Sequence, residues 1–171
     1  MTQALHRSLG GFRIAALAVL VAVLAGVAAF QLHQRLGGGS KLAGLTRQEQ
    51  AAVDAAKQEA INIQTYRLKS FDSDFAAAVA GMTPQKATEW QARKSALKSG
   101  MTKQKTDLGA TVSGAGLVSL RGDSAVVLVS SDSQRSDSKG KLATFAQNRF
   151  QVTMKLVKGA WLMDDFQSVS L

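Results

Sequence analysis

The chain has 171 residues, 46% hydrophobic and 19% charged, which is room for one ordinary domain and a short appendage. It has no Cys and only two His, His6 and His33. Disulfides, thiol nucleophiles and Cys-ligated zinc are therefore excluded, as are His-based triads and metal sites beyond residue 33. Lys plus Arg is 21 against 12 for Asp plus Glu, a net charge of +9; four of the basic residues and no acid fall in the first 45 positions.

Residues 1–13 read as a short cytoplasmic tail carrying Arg7 and Arg13. Residues 14–30, IAALAVLVAVLAGVAAF, are apolar without a charge and span about 26 Å as a helix. Extended to residue 32, this run is predicted to be a single transmembrane helix, since a helix satisfies its own backbone polar groups in lipid. The competing reading is a cleaved signal with Val27-Ala28-Ala29 before the cut, but the run exceeds the usual apolar stretch of about 7–15 residues. The leader is basic and carries no domain, which puts the N-terminus inside and the remainder of the chain outside the cytoplasm. Ala18, Ala22, Ala25, Gly26 and Ala29 form a small-residue ridge suited to close helix packing in lipid. Residues 33–45, with Gly37-Gly38-Gly39-Ser40, read as a flexible linker.

The domain at residues 46–171 opens with helices. Thr46 and Glu49 form a capping box, and the apolar positions continue to about Lys69. Ser70 or Asp72 is expected to cap a short second helix that Gly81 ends, with Phe71 and Phe75 on one face. Thr83-Pro84 starts a third helix whose apolar stripe is Ala87, Trp90, Leu97 and Met101 and whose remaining face is basic. From about residue 108 the period changes to two. Strands are predicted over 111–120, 124–131, 145–157 and 160–169, with turns at Arg121-Gly122-Asp123 and Lys158-Gly159 and a polar loop over Asp132–Lys141. Helices followed by four strands in a meander make an α+β domain of about three helices packed on a curved four-stranded antiparallel sheet.

The anchor, the run YRLKSFDSDF from Tyr66 to Phe75, Gly81, the hairpin around Ala125–Val129 and the closing Gly159-Ala160-Trp161-Leu162 with Asp164 resemble the Mce-associated membrane proteins of actinobacteria. These accompany mammalian-cell-entry lipid importers, and the resemblance runs over residues 14–170. None of the matching pieces is a chemical motif. The resemblance implies a cone-shaped, nuclear transport factor 2-like or cystatin-like domain, also akin to the inner-membrane scaffold of type IV secretion machines. It implies a non-catalytic accessory or scaffold subunit of a lipid or sterol import complex, with the membrane, protein subunits and lipid as partners. Two alternatives accompany it: a lipid carrier or ketosteroid isomerase-like enzyme using the cone's cavity, and a scaffold of a type IV secretion-like machine.

Candidate residues follow from these readings. Tyr66, Trp90 and Trp161 are candidates to line a cavity. Isomerase-like chemistry needs a carboxylate base near an oxyanion donor, and Asp72, Asp74, Asp164 and Asp165 are the available acids, but their spacing shows no convergence. No catalytic residue, cofactor or metal is expected. Asp-x-Asp alone is no calcium loop, which needs about a dozen residues of alternating ligands. Arg121-Gly122-Asp123 reads as a hairpin turn rather than an adhesion motif. On the basic helix, Arg93, Lys94 and Lys98 are candidates to contact a partner subunit or anionic headgroups. That helix has no stacking aromatics on its polar face, so nucleic acid is not an expected partner.

Overall fold

A computed structural model describes residues 44–136 and 139–169. The expected membrane helix at 14–32, its tail and most of the linker lie outside the described residues. Among the described residues, no helix is long and apolar enough to cross a membrane.

The domain is α+β. Helix α1, Arg47–Asn62, starts at the expected capping box: the Thr46 amide donates to Glu49 Oε2 at 2.7 Å, and the Glu49 amide donates to Thr46 Oγ1 at 3.3 Å. Two orphan donors of the first turn are thereby satisfied. The buried face of α1 is built largely from alanine: Ala52, Ala55, Ala56 and Ala60, with Val53. Small side chains let the helix lie close against the sheet. It ends at Ile63 rather than near Lys69. Gln64 takes the Ala60 carbonyl with its own side chain at 2.6 Å. Tyr66 then runs extended and exchanges two backbone hydrogen bonds with Leu108, 3.0 and 2.8 Å, which a helical Tyr66 could not make.

A single 3-10 turn, Leu68–Ser70, leads into α2, Phe71–Ala80. Neither Ser70 nor Asp72 caps this helix through its side chain, contrary to expectation. Asp74 folds back instead and accepts from the Arg67 amide and the Ser70 hydroxyl, both at 2.9 Å. Helix α3, Pro84–Gln91, begins as predicted, with Thr83 accepting from the Lys86 amide and Pro at the first position. The predicted single third helix is broken, however. The Arg93 amide bonds the Trp90 carbonyl, and the chain restarts as α4, Lys94–Gln104. The break lets Trp90 in α3 and Met101 in α4 approach the core along different axes. No Gly or Pro marks it.

Strands β1, Leu108–Arg121, β2, Ser124–Ser136, β3, Leu142–Val157, and β4, Ala160–Ser168, form one antiparallel sheet in the order β1-β2-β3-β4. The polar run after Asp132 is strand as far as Ser136, not loop: Asp132 lies opposite Thr111 on β1 and Gln147 on β3. Ladder pairing on both sides overrides its polar composition. β-bulges interrupt β1 twice, between Val112 and Gly114 and between Leu117 and Ser119, and bulges bend and twist a strand. The hairpin turns fall where expected. Gly122 has φ +56°, and Lys158 and Gly159 have φ +50° and +84°, the left-handed geometry that matches strand twist in tight hairpins. Ala125, Val127, Val129, Val152, Met154 and Met163 present the buried face of the sheet to α1 and α2.

Candidate functional site

The residues between α1 and α4 converge on Tyr66. Its ring is buried, with Phe71 and Phe75 centroids 5.7 and 6.2 Å away and 5.8 Å from each other. The expected four-residue spacing of the two Phe on α2 produces this stack. The Trp90 indole N–H donates to the Tyr66 hydroxyl oxygen at 3.1 Å. Burial pushes the Tyr66 phenol up to about 12, against a smaller lowering by Trp90, so it stays neutral. Tyr66 and Trp90, two of the three predicted cavity residues, are thus brought together.

They line one cleft of about 320 Å³, between the end of α1, the α3–α4 break and the far ends of β1, β2 and β3. Ile63, Leu97 and Leu108 complete its apolar wall, and Phe145, 56% exposed, stands at its edge. Its polar side is a chain of hydrogen bonds. Ser133 Oγ donates to Gln64 Oε1 at 3.0 Å and accepts from Asn148 Nδ2 at 2.8 Å, and the buried Ser131 hydroxyl donates to Gln64 Oε1 at 3.4 Å. Trp161 is elsewhere: it lies opposite Leu156 in the β3–β4 hairpin and does not line this cleft. Phe145, Gln64 and Ser133 are missed by sequence reasoning. The alternation that puts Ser131 and Ser133 on one face was the available signal.

Among the described residues, no carboxylate lines the cleft. Asp72 is held by Lys94 at 2.9 Å and Lys98 at 2.7 Å, whose hydrogen bonds lower its carboxyl to about 2. Asp164 pairs with Lys155 at 2.7 Å and accepts from the Thr83 hydroxyl at 3.0 Å; Asp165 pairs with Lys86 at 3.0 Å. Those lysines hold both carboxyls below their ordinary range. The acids weighed for isomerase-like chemistry therefore fasten helices to each other and to β4, and none of them reaches Tyr66's cleft. Among the described residues no group of three or more His, Cys, Asp or Glu is gathered as for a metal.

On the predicted basic face, Lys94 and Lys98 are turned inward across α2. Besides Asp72, they place their ammonium groups 5.4 and 5.3 Å from the Phe75 and Phe71 ring centroids. Arg93 stacks on the outer face of Trp90, 5.4 Å from the ring centroid, and meets no carboxylate among the described residues. The small-residue ridge at Ala18, Ala22, Ala25, Gly26 and Ala29 lies outside the described residues.

One buried acid was not anticipated. Glu59, 3% exposed, sits on the apolar face of α1 with Oε1 unpartnered and Oε2 accepting from Asn62 at 3.1 Å. Burial raises its carboxyl to about 8. Its carboxyl group lies against Gly81, where any Cβ would collide with it. Gly81 has φ −86°, so glycine is required there by close approach and not by a left-handed backbone. Spacing was the available signal: Glu59 falls seven residues after Ala52 and three after Ala56.

A family model described as "Uncharacterized protein Rv1363c/MT1408-like" matches residues 12–169. The chain belongs to that family. No curated protein matches it. Among solved structures, the chain is similar to an IcmL-like type IV secretion system protein from Legionella pneumophila, at 12% identity and a TM-score of 0.59, over 75% of this chain and 95% of that one. It is similar to the periplasmic domain of DotI, at 15% and 0.56, over 75% and 99%. It is also similar to CagV, a VirB8 homolog of the type IV secretion system of Helicobacter pylori, at 7% and 0.53, over 72% and 96%. At these identities the likeness is one of fold. These likenesses agree with the α+β fold class expected from the sequence, helices packed on a four-stranded antiparallel sheet.

Proposed function

We propose that the chain is a non-catalytic, single-pass membrane subunit that acts as an accessory or scaffold protein, with residues 46–171 outside the cytoplasm. The observation that carries this reading is the likeness over nearly the whole length of the DotI periplasmic domain and of two type IV secretion proteins, joined to the uncharged apolar run at 14–30. Among the described residues no carboxylate lines the Tyr66 cleft, which supports a role other than acid–base catalysis there. The assembly we favour is an Mce-type lipid importer, on the sequence resemblance. The second reading, a secretion-like scaffold, is favoured by the structural likeness. The ridge from Ala18 to Ala29 is proposed to pack against partner helices, with the basic helix as a separate contact to protein or headgroups.

Chemical cross-linking of the full chain in native membranes, followed by mass spectrometry of co-purified proteins, separates the readings. Recovery of a lipid permease and its ATPase is the expected result. Recovery of secretion ATPases and pilus components instead would support the second reading, and recovery of neither would overturn both. Carbonate extraction should leave the full chain in the membrane pellet; release of a protein starting near Phe30 would show a cleaved signal. Gly26→Leu keeps the run hydrophobic, so it should insert normally while losing partners.

A further inference from the structure

We propose that the Tyr66–Trp90 cleft binds a small amphiphile made of an apolar body and one carboxylate, with the carboxylate at Arg93. The volume, about 320 Å³, lies at the low end of the range of about 300–1,000 Å³ usual for small-molecule sites. Its walls are mostly apolar, with Trp90, Leu97, Leu108 and Phe145 positioned to cover a chain or ring system. The interior thus suits an uncharged body.

The rim suits an anion. Arg93 lines the cleft and rests on Trp90 at 5.4 Å, and Arg135 stacks on Phe145 at 4.8 Å from the ring centroid. Neither guanidinium meets a carboxylate among the described residues, whereas Lys86, Lys94, Lys98 and Lys155 all do. Arg93 on the cleft wall, and Arg135 on the edge residue Phe145, have forks that no acid among the described residues occupies, and they match a planar carboxylate better than a cation or a neutral polar group. The Gln64–Ser133 hydrogen-bond chain offers further polar contact on the opposite wall. This inference rests on the cleft alone and not on the partner assembly, so its failure leaves the accessory-subunit reading standing.

The test uses the full chain in phosphatidylcholine nanodiscs with Trp161→Phe, leaving Trp90 as the one indole. Trp90 emission is titrated with decanoate and with adamantane-1-carboxylate, a chain and a compact ring body, and with decanol and adamantane-1-carboxamide as uncharged counterparts. Saturable change is expected, with the carboxylates roughly tenfold tighter than their counterparts and weaker at high salt. Which carboxylate is tighter tells a chain-shaped from a ring-shaped ligand. Arg93→Gln should weaken carboxylate binding roughly fivefold to tenfold and leave the uncharged compounds unchanged, Arg135→Gln less so. Arg121→Gln, at the β1–β2 turn, should change nothing. Equal affinity for charged and uncharged compounds, no effect of Arg93→Gln, or no saturable response would each overturn the proposal. So would a response to an acidic hexapeptide with none to the two carboxylates.

Discussion

Replacing Glu59 by Gln should reshape the pH dependence of folding. The carboxyl is lifted from its ordinary 4.5 to about 8 because it is buried. The folded state therefore holds its proton through a window in which the unfolded state has released it. Stability follows the difference in bound protons, so this group's contribution is full below pH 4.5, falls as pH rises, and is lost above pH 8. At about 1.4 kcal/mol per pH unit, ionising Glu59 in place costs on the order of 5 kcal/mol, and at pH 7 on the order of 3 kcal/mol is already gone. Gln has nearly the same shape and no charge to lose. Glu59→Gln should thus resemble the parent at pH 5 and exceed it by several kcal/mol at pH 8.5. Urea unfolding of the full chain in detergent, followed by the emission of Trp90 and Trp161, reads the domain specifically because these are the only two tryptophans. Parent and variant midpoints that move in parallel from pH 5 to 8.5 would refute the reasoning.

Gly81→Ala should destabilise the domain by about 1–3 kcal/mol, because its Cβ meets the Glu59 carboxyl and overpacking forces a shift. In a Glu59→Ala background the penalty should shrink by more than about 0.5 kcal/mol in a double-mutant cycle; additive losses would disprove the contact. Trp90→Phe keeps a ring but removes the N–H donated to the Tyr66 hydroxyl, and should cost about 1 kcal/mol in urea unfolding beyond any packing loss seen in a Tyr66→Phe background. Lys158→Gly relieves a left-handed residue at φ +50° in the β3–β4 turn and should raise stability by roughly 0.5–1 kcal/mol; a lower thermal midpoint would count against it.

What was legible in the sequence was what short stretches decide among themselves. The capping box at Thr46 and Glu49, the Thr83-Pro84 start and the Gly122 and Gly159 turns all depend on neighbours within four residues, and each appears in place. The stop at Gly81 also falls where expected, but a distant side chain, Glu59, is what requires glycine there. Distant partners decided the rest. The α3–α4 break has no local marker, and accompanies the docking of Trp90 on Tyr66, 24 positions away. The strand character of 132–136 depends on pairing with β1 and β3. Arg135 therefore fell inside the predicted loop, while Phe145 stood at the first position of a predicted strand with nothing local to mark it as a cleft residue. For the cleft, Tyr66, Trp90 and Trp161 were candidates on residue type alone. The structure places Tyr66 and Trp90 at one cleft and Trp161 in the β3–β4 hairpin, because residue type carries chemistry but not place. Glu59 was readable in principle, since a carboxylate in register with Ala52 and Ala56 must either be buried or break the face.

The lysines on α4 carry a consequence for any partner contact. Met101 is the only buried residue of this helix, so little apolar surface attaches it. Lys94 and Lys98, gripping Asp72 and covering Phe71 and Phe75, supply an electrostatic clasp between α2 and α4. Reversing both to Glu would put three carboxylates together and loosen α4, so lost partner recovery in that variant would not by itself demonstrate a lost contact. A swap resolves the two roles. Adding Asp72→Lys to Lys94→Glu and Lys98→Glu rebuilds the clasp with opposite polarity while the outer face turns acidic. The triple variant should regain the thermal midpoint that the double variant loses. If the basic face also meets an acidic partner or anionic headgroups, recovery of partners should stay low in the triple variant and, in the parent, fall with added salt, since exposed charges are screened beyond about 8 Å at physiological ionic strength. Partner recovery restored along with stability would show that the lysines serve the fold alone.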